Sequence, residues 1–493
     1  MEVGSTTCLL LITFIFTLLL MNVRKVFQKG KLPPGPTPLP LVGNILQVKN
    51  GKIVKSILKL RDIYGPVFTM YLGPRRVVAL CGYEAIKEAL IDHGDDFITR
   101  GSLPSFEMIF HGYGIGVLNG EQWKEIRRFS VMTLRNFGMG KRSIEERIQE
   151  EAQYLMKELR KTKGSPFEPT SALIHAAANI IFSITVGKRF DYEDTTFNKI
   201  LLNIREGFNI MSSFWGQLYE MFPKFMIYIP GPHRRMFKLF KYLEDFIQAR
   251  VDINLETLDA NSPRDFIDCY FIRKEQGKLN TSTKSDRMNL VMTVMDIIFG
   301  GTETITSTMK YGLLILMKYP DVQEKVQEEI DNVVGERSTP AFEDRLKMPY
   351  TNAVVHEIQR FSDIVPLGAA HSVTRDIPFR EFVITKGTDI FPMLTTAHKD
   401  PTYFRDPNNF NPEHFLDDKG NFMKNDAFMP FSIGKRNCPG ISLAQTELFL
   451  LLTSILKNFH LKSLTDLNEL DLTPIESGFE NLPPPYELCF IPR

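Results

Sequence analysis

From Val3 to Val23 the chain carries no charged residue, and the centre of that stretch, CLLLITFIFTLLLM, is almost wholly apolar. A run of that length spans the roughly 30 Å hydrocarbon core of a bilayer as one helix. The chain must therefore divide into a segment for lipid and a body for water. Glu2 precedes the apolar run and Arg24, Lys25, Lys29 and Lys31 follow it. A cleaved signal peptide has the opposite charge order, so the expectation is an uncleaved anchor over 1–23. The basic flank places the body on the cytosolic side. Pro33, Pro34, Pro36, Pro38 and Pro40 come next; they end the helix and stiffen the backbone, which makes 24–44 a basic, proline-rich hinge. The body is then 45–493.

The body reads as one large domain, mainly α with a minor β region. Apolar periodicity predicts helices over about 140–161, 235–257, 286–318, 321–334, 350–362 and 441–457. Two β-rich runs within 66–80, broken by Gly73 and Pro74, predict a hairpin, and 472–491 reads as short strands. The polar stretch 274–285 reads as a surface loop, and no interdomain linker cuts the body. With a formal net charge of +1, the chain has no global pull toward nucleic acid. Five scattered cysteines, Cys8, Cys81, Cys269, Cys438 and Cys489, form neither a disulfide framework nor a zinc pattern.

Three segments carry chemistry. In Phe431-Ser-Ile-Gly434-Lys-Arg436-Asn-Cys438-Pro-Gly440, the cysteine stands just ahead of a helical pattern. The unpaired N–H groups and positive dipole of a helix N-terminus favour a thiolate there. A thiolate suits a haem iron. Gly434 and Gly440 would let backbone approach a macrocycle, Phe431 would cover its face, and Arg436 would bind a propionate. The second segment, Gly300-Gly301-Thr302-Glu303-Thr304, lies within a long helical pattern, where paired glycines each cost about 1 kcal/mol relative to alanine. Close helix packing would explain them, as would a groove that places a hydroxyl and a carboxylate to move protons. In the third, Glu357 and Arg360 are three residues apart and share a helix face.

The cysteine segment is similar to the FxxGxRxCxG ligand loop of the cytochrome P-450 superfamily, and the resemblance covers essentially the whole chain, being nearest to the microsomal vertebrate family 2 branch. It implies the P-450 fold, haem b as cofactor and Cys438 as axial ligand to the iron. It makes Thr304 the oxygen-activating hydroxyl and Glu303 a member of its proton relay. Glu357 and Arg360 become a structural pair closed by a third partner, with His414 where Arg is usual. Arg100, Trp123, Arg127, His371 and Arg436 become haem-propionate contacts. Ile441 and Gln445 depart from an acidic residue and an arginine common in the family.

The resemblance also implies a substrate pocket drawn from Phe106, Ile109, Phe110, Val117, Phe208, Ile210, Met295, Phe299, Val365, Leu367 and Phe479. Such a lining suits a small or medium lipophilic substrate, a xenobiotic, fatty acid or steroid. The chain has no dinucleotide fingerprint of its own. Electrons must come from an NADPH-dependent reductase, with cytochrome b5 as a further partner and O2 as co-substrate. Lys124, Arg127, Arg128, Arg135, Lys141 and Arg142 are candidates for the docking face. The aromatic stretch 214–230 is a candidate membrane contact. The expected place is the endoplasmic reticulum membrane, and the expected reaction is insertion of one oxygen atom of O2. An electron-independent haem-thiolate isomerase or dehydratase and a haem sensor are the competing readings.

Overall fold

The computed structural model describes residues 13, 17, 32–47, 53–136, 144–277, 283–337, 339–477 and 479–493. The expected anchor lies outside these residues except for Thr13 and Thr17, as do the first part of the hinge and Lys141 and Arg142. Among the described residues no helix is long and apolar enough to cross a membrane.

The expected hairpin forms. Strands β1 (Val67–Leu72) and β2 (Arg75–Cys81) pair antiparallel around Gly73, whose φ is 60°. The chain then adds β3 (Thr99–Arg100), β4 (His371–Ser372) and β5 (Asp389–Met393) to give the order β1-β2-β5-β4-β3, with β2 and β5 parallel. Alternation along the strands sends Phe68, Met70, Leu72, Val77 and Ala79 to one buried face, and Val67, Val78 and Leu80 to the other. At the far edge Arg100 stands opposite His371.

The rest is mostly helical. The elements that build the site are α1 (Gly120–Asn136), α2 (Ile144–Lys161), α3 (Thr170–Thr185), α4 (Thr195–Ser212), α5 (Pro232–Glu256), α6 (Thr283–Lys318), α7 (Pro349–Ser362) and α8 (Ile441–Asn458). The bounds of α5, α6, α7 and α8 lie within three residues of those predicted from periodicity. The expected loop 274–285 is shorter than its polarity suggested. A helix runs to Glu275 on one side, and α6 begins at Thr283 on the other. Aromatic content carried the first of these, since Tyr270 packs against Phe129.

Helix α6 is apolar nearly all round because α3, α5, α7 and α8 all pack on it. Its glycines serve two different ends. A methyl group at Gly301 would stand 2.5 Å from Ile181 Cδ1 of α3, whereas one at Gly300 would meet nothing within 4 Å. Close packing explains Gly301, and open space explains Gly300. Gly301→Val should thus lower stability by about 1–3 kcal/mol through overpacking. Gly300→Ala should leave the thermal midpoint unchanged or raise it. Thermal unfolding of the two variants checks the difference.

Candidate functional site

A cavity of about 470 Å³ runs between α6 and the cysteine loop. One wall carries Gly300, Gly301 and Thr304, and the opposite wall Phe431, Cys438 and Gly440. The cysteine loop is shaped by its own backbone. Cys438 N–H donates to the Phe431 carbonyl at 2.9 Å, and Gly434, at φ 79°, fits where a Cβ would stand 2.2 Å from the Leu90 carbonyl oxygen. Gly434 therefore answers to the Leu90 backbone, and it is not among the residues that line the cavity. At Gly440 a Cβ would meet only the Cys438 sulfur, at 3.8 Å.

Burial pushes the Cys438 thiol up, while the Gly440 N–H and the Arg127 guanidinium pull it down. The helix terminus does act in the expected direction, but desolvation outweighs it. A cation at the sulfur would reverse that balance.

At one edge of the cavity three guanidinium groups converge without an ion-pair partner among the described residues. Arg436 donates to the carbonyls of Ile98 (2.9 Å) and Leu118 (2.6 Å), and its buried Nη1 has no acceptor. Arg127 donates to the Asn437 carbonyl at 2.7 Å, and Arg100 to the Gly116 carbonyl at 3.1 Å. Burial, with the mutual repulsion of these cations, pushes Arg436 down to about 8 and Arg100 to about 10. Buried positive charge held by neutral carbonyls alone calls for an anion. Trp123 lies under Arg436, whose guanidinium carbon is 3.6 Å from the ring centroid, and its buried Nε1 is also without a partner.

His371 donates from Nδ1 to the Phe97 carbonyl at 2.6 Å; burial and the nearby Arg100 and Arg436 hold it neutral, at about 3. Neither Trp123 nor His371 itself lines the cavity; both stand behind the arginines.

These features fit a flat, dianionic macrocycle held by one sulfur. Two walls face each other across a gap. Among the described residues the three cations of the edge are faced at longer range by Asp296 alone and have no carboxylate in ion-pair contact, and no cluster of His, Cys, Asp and Glu offers an alternative metal site. As a check on the edge, Arg436→Leu should release bound haem roughly ten- to a hundredfold faster, through loss of a charge-assisted contact worth ~1.5–3 kcal/mol. Haem transfer to an acceptor apoprotein measures it.

The wall above is aromatic. Phe106 stacks on Phe110 (5.5 Å) and meets Phe299 and Phe479 at 5.5 and 5.4 Å, while Phe208 stacks on Phe299 at 4.2 Å. Of the expected pocket residues, Phe106, Val117, Phe208, Phe299, Val365, Leu367 and Phe479 line the cavity. Ile109, Phe110, Ile210 and Met295 do not; they are buried in the core behind it. Phe110 backs Phe106, and Met295 falls just outside the cavity-facing stripe of α6.

That stripe runs through Asp296, Gly300, Thr304 and Thr308. Asp296 was missed, although its four-residue spacing from Gly300 marks it. Its carboxylate accepts from the Gly116 N–H at 2.9 Å and is pushed up to about 7 by burial.

Thr304 donates its hydroxyl to the Gly300 carbonyl at 2.6 Å. Its neighbour Glu303 is buried on another face of α6 and is not part of the cavity wall. The expected acid and alcohol are thus adjacent in sequence, with only the alcohol in the cavity.

Behind the cysteine loop, Arg360 and Glu357 form a fully buried bidentate pair at 2.7 and 2.6 Å. The guanidinium also donates to the carbonyls of His398 and Pro407, both at 2.8 Å, and Asn409 at 3.1 Å. His414 completes the group by hydrogen bonding, Nδ1 to Glu357 Oε2 at 3.2 Å and Nε2 to the Arg405 carbonyl at 2.5 Å.

Comparison with known proteins agrees with this geometry. The cytochrome P450 family profile matches residues 33–490. Cytochrome P450 2G1 of Oryctolagus cuniculus is 53% identical over 490 residues, covering 99% of both chains. Cytochrome P450 2A5 of Mus musculus is 52% identical over 98% of each chain, and cytochrome P450 2A13 of Homo sapiens 50% identical over 98% of this chain and 99% of its own.

Proposed function

The chain belongs to the cytochrome P450 family, and on that premise we propose that it is a membrane-bound monooxygenase that inserts one atom of O2 into a small or medium lipophilic substrate. The observation that carries this reading is the cavity that joins a half-buried cysteine to a threonine-bearing helix beneath an aromatic roof. Haem, when bound, supplies an iron that activates O2 with electrons from a reductase.

The chain's own residues do the rest. Cys438 provides the sulfur ligand, and Arg100, Arg127 and Arg436 provide the positive edge for the propionates, with Trp123 and His371 behind them. Phe106, Phe208, Phe299 and Phe479 exclude water and hold an apolar substrate above Gly300, where no side chain intrudes. The Thr304 hydroxyl relays a proton into the cavity, and Glu303, next to it in sequence on another face of α6, is the acid that supplies it.

Reductase docking falls to the proximal side, where Arg128 and Arg135 are exposed on α1. Lys124 is paired with Glu121, and Arg127 is committed to Asn437. Cytochrome b5 is a second partner for the same face. For the membrane, the anchor over 1–23 is joined by exposed Phe214, Phe225, Ile227 and Tyr228 in the aromatic stretch. Together they set the body on the cytosolic face of the endoplasmic reticulum membrane.

The test is incubation of the haem-loaded chain with NADPH, its reductase, labelled O2 and a panel of lipophilic probes. One labelled oxygen per product molecule is expected. In Thr304→Ala, product formation should fall roughly a hundredfold, the lower end of what a positioned proton donor contributes, while NADPH consumption persists. Products that form from a peroxide without reductase would instead mark an isomerase or dehydratase. Haem uptake with no product under any condition would mark a sensor.

A further inference from the structure

Two buried carboxyl groups stand beside the cavity, Glu480 in its lining and Glu303 outside it. Glu303 projects from α6, and Glu480 from between two short antiparallel strands, Glu476–Ser477 and Asn481–Leu482, in the region expected to hold short strands; they are 5% and 1% exposed. Glu303 Oε2 and both oxygens of Glu480 are buried with no hydrogen-bond partner. The Ser307 hydroxyl faces Glu480 and favours its ionised form, though without a hydrogen bond of normal geometry.

The segment that carries Glu480 is held in place rather than draped. Asn481 donates its N–H to the Ile364 carbonyl at 2.8 Å and its side chain to the Asp363 carbonyl at 2.7 Å, while the Tyr311 hydroxyl of α6 reaches the Leu482 carbonyl at 3.4 Å. On α6 itself, Glu303, Ser307 and Lys310 recur at spacings of four and three and so share one face. Lys310 is buried, and its ammonium lies 3.6 Å from Glu168, which is 40% exposed. Lys310 thus links the half-exposed Glu168 to the face of α6 that carries Ser307 and Glu303, and Glu303 adjoins Thr304 in sequence.

Two buried carboxylates side by side cannot both ionise cheaply. The cations facing the pair are Arg205 and Lys310, and both act on Glu303. Glu303 accordingly stands at about 7, while Glu480, with the charge of Glu303 beside it and no facing cation, is raised well above the ordinary carboxylate range. Tyr311, the remaining titratable neighbour, is itself raised by burial and by Glu480. At neutral pH Glu480 is the member that keeps its proton.

We propose that Glu480 is a positioning residue for the monooxygenase reaction, holding the proton that replaces the one Glu303 passes toward Thr304. In each cycle Glu303 gives up a proton, the Glu480 O–H bond breaks as a new O–H forms on Glu303, and Glu480 is reprotonated from the Lys310 and Glu168 side. No electron moves in these steps. The inference rests on the proposed relay role of Glu303.

The experiment compares the full-length, haem-loaded chain with Glu480→Gln and Glu303→Gln by infrared titration and by product formed per NADPH consumed. The expected result is a protonated-carboxyl signal in the wild-type minus Glu480→Gln difference spectrum at pH 8, over the band of Glu447, which is likewise buried and raised well above the ordinary carboxylate range; in Glu303→Gln the Glu480 signal titrates at lower pH, since the neighbouring charge is gone. Glu480→Gln should also lower product per NADPH several-fold, with a larger solvent isotope effect, and Glu480→Asp should restore part of it. A pH 8 difference spectrum without a protonated-carboxyl signal overturns the proposal. So does unchanged coupling in Glu480→Gln when Glu303→Gln is impaired, an outcome that leaves the relay role of Glu303 standing. Unchanged coupling in both variants removes that role and the proposal with it.

Discussion

Cys438→Ser should abolish the strongly red-shifted Soret band of the reduced, carbon monoxide-bound protein, and with it all reductase-dependent product. A serine hydroxyl fills the space of the thiol but stays protonated at neutral pH, so it gives the iron no anionic, polarisable donor. The loss is expected without unfolding. Cys438 makes its loop contact through the backbone, by the 2.9 Å bond to Phe431, and that bond survives the exchange. Optical spectra with circular dichroism on the same samples check both halves. A retained red-shifted band in folded Cys438→Ser would overturn the ligand assignment.

Arg360→Leu is expected to have the largest effect on stability. The guanidinium is about 1% exposed, and its removal leaves Glu357 charged and buried among groups arranged to complete an ion pair. Breaking a buried pair from one side costs about 3–5 kcal/mol, against a total stability of ~5–15 kcal/mol for a native protein. The carbonyls of His398, Pro407 and Asn409 lose their donors at the same time. Most of the expressed chain should therefore fail to accumulate as folded haem protein, as read by soluble yield and haem content. Wild-type haem content in Arg360→Leu would show that the pair is dispensable.

Much of this molecule could be read from its residues, because the informative patterns are local. Helix α6 announces itself by a long apolar run, and α8 by the change from loop glycines to ISLAQTELFLLL. The cysteine loop is legible for the same reason, since its chemistry is spelled in one short segment. What was not legible depends on chain-distant partners. Polarity misplaced the ends of loop 274–285, where helix ends are decided by packing against α1 and α6. The reason for Gly434 lies in the Leu90 carbonyl, far away in sequence. Glu480 carries no motif at all; its interest comes from standing beside Glu303. Among pocket residues, the helix stripe predicts Phe299, Gly300 and Thr304 together, whereas Met295 required knowing where the stripe ends.

The cationic edge has a consequence for the order of events during synthesis. Arg436 is anchored on the backbone of Ile98 and Leu118, and Arg100 lies across from His371 in the sheet. Bringing such distant parts together requires the chain entropy of long loops to be overcome first. A nascent chain that has displayed everything up to β2 therefore owns neither the sulfur nor any of the three cations. Its β1–β2 hairpin must wait for β5 before the sheet can close on that side. Haem capture is consequently confined to the last stage of translation or to the time after release, and a polypeptide truncated before Cys438 leaves the ribosome with its central helix made and nothing to close over it.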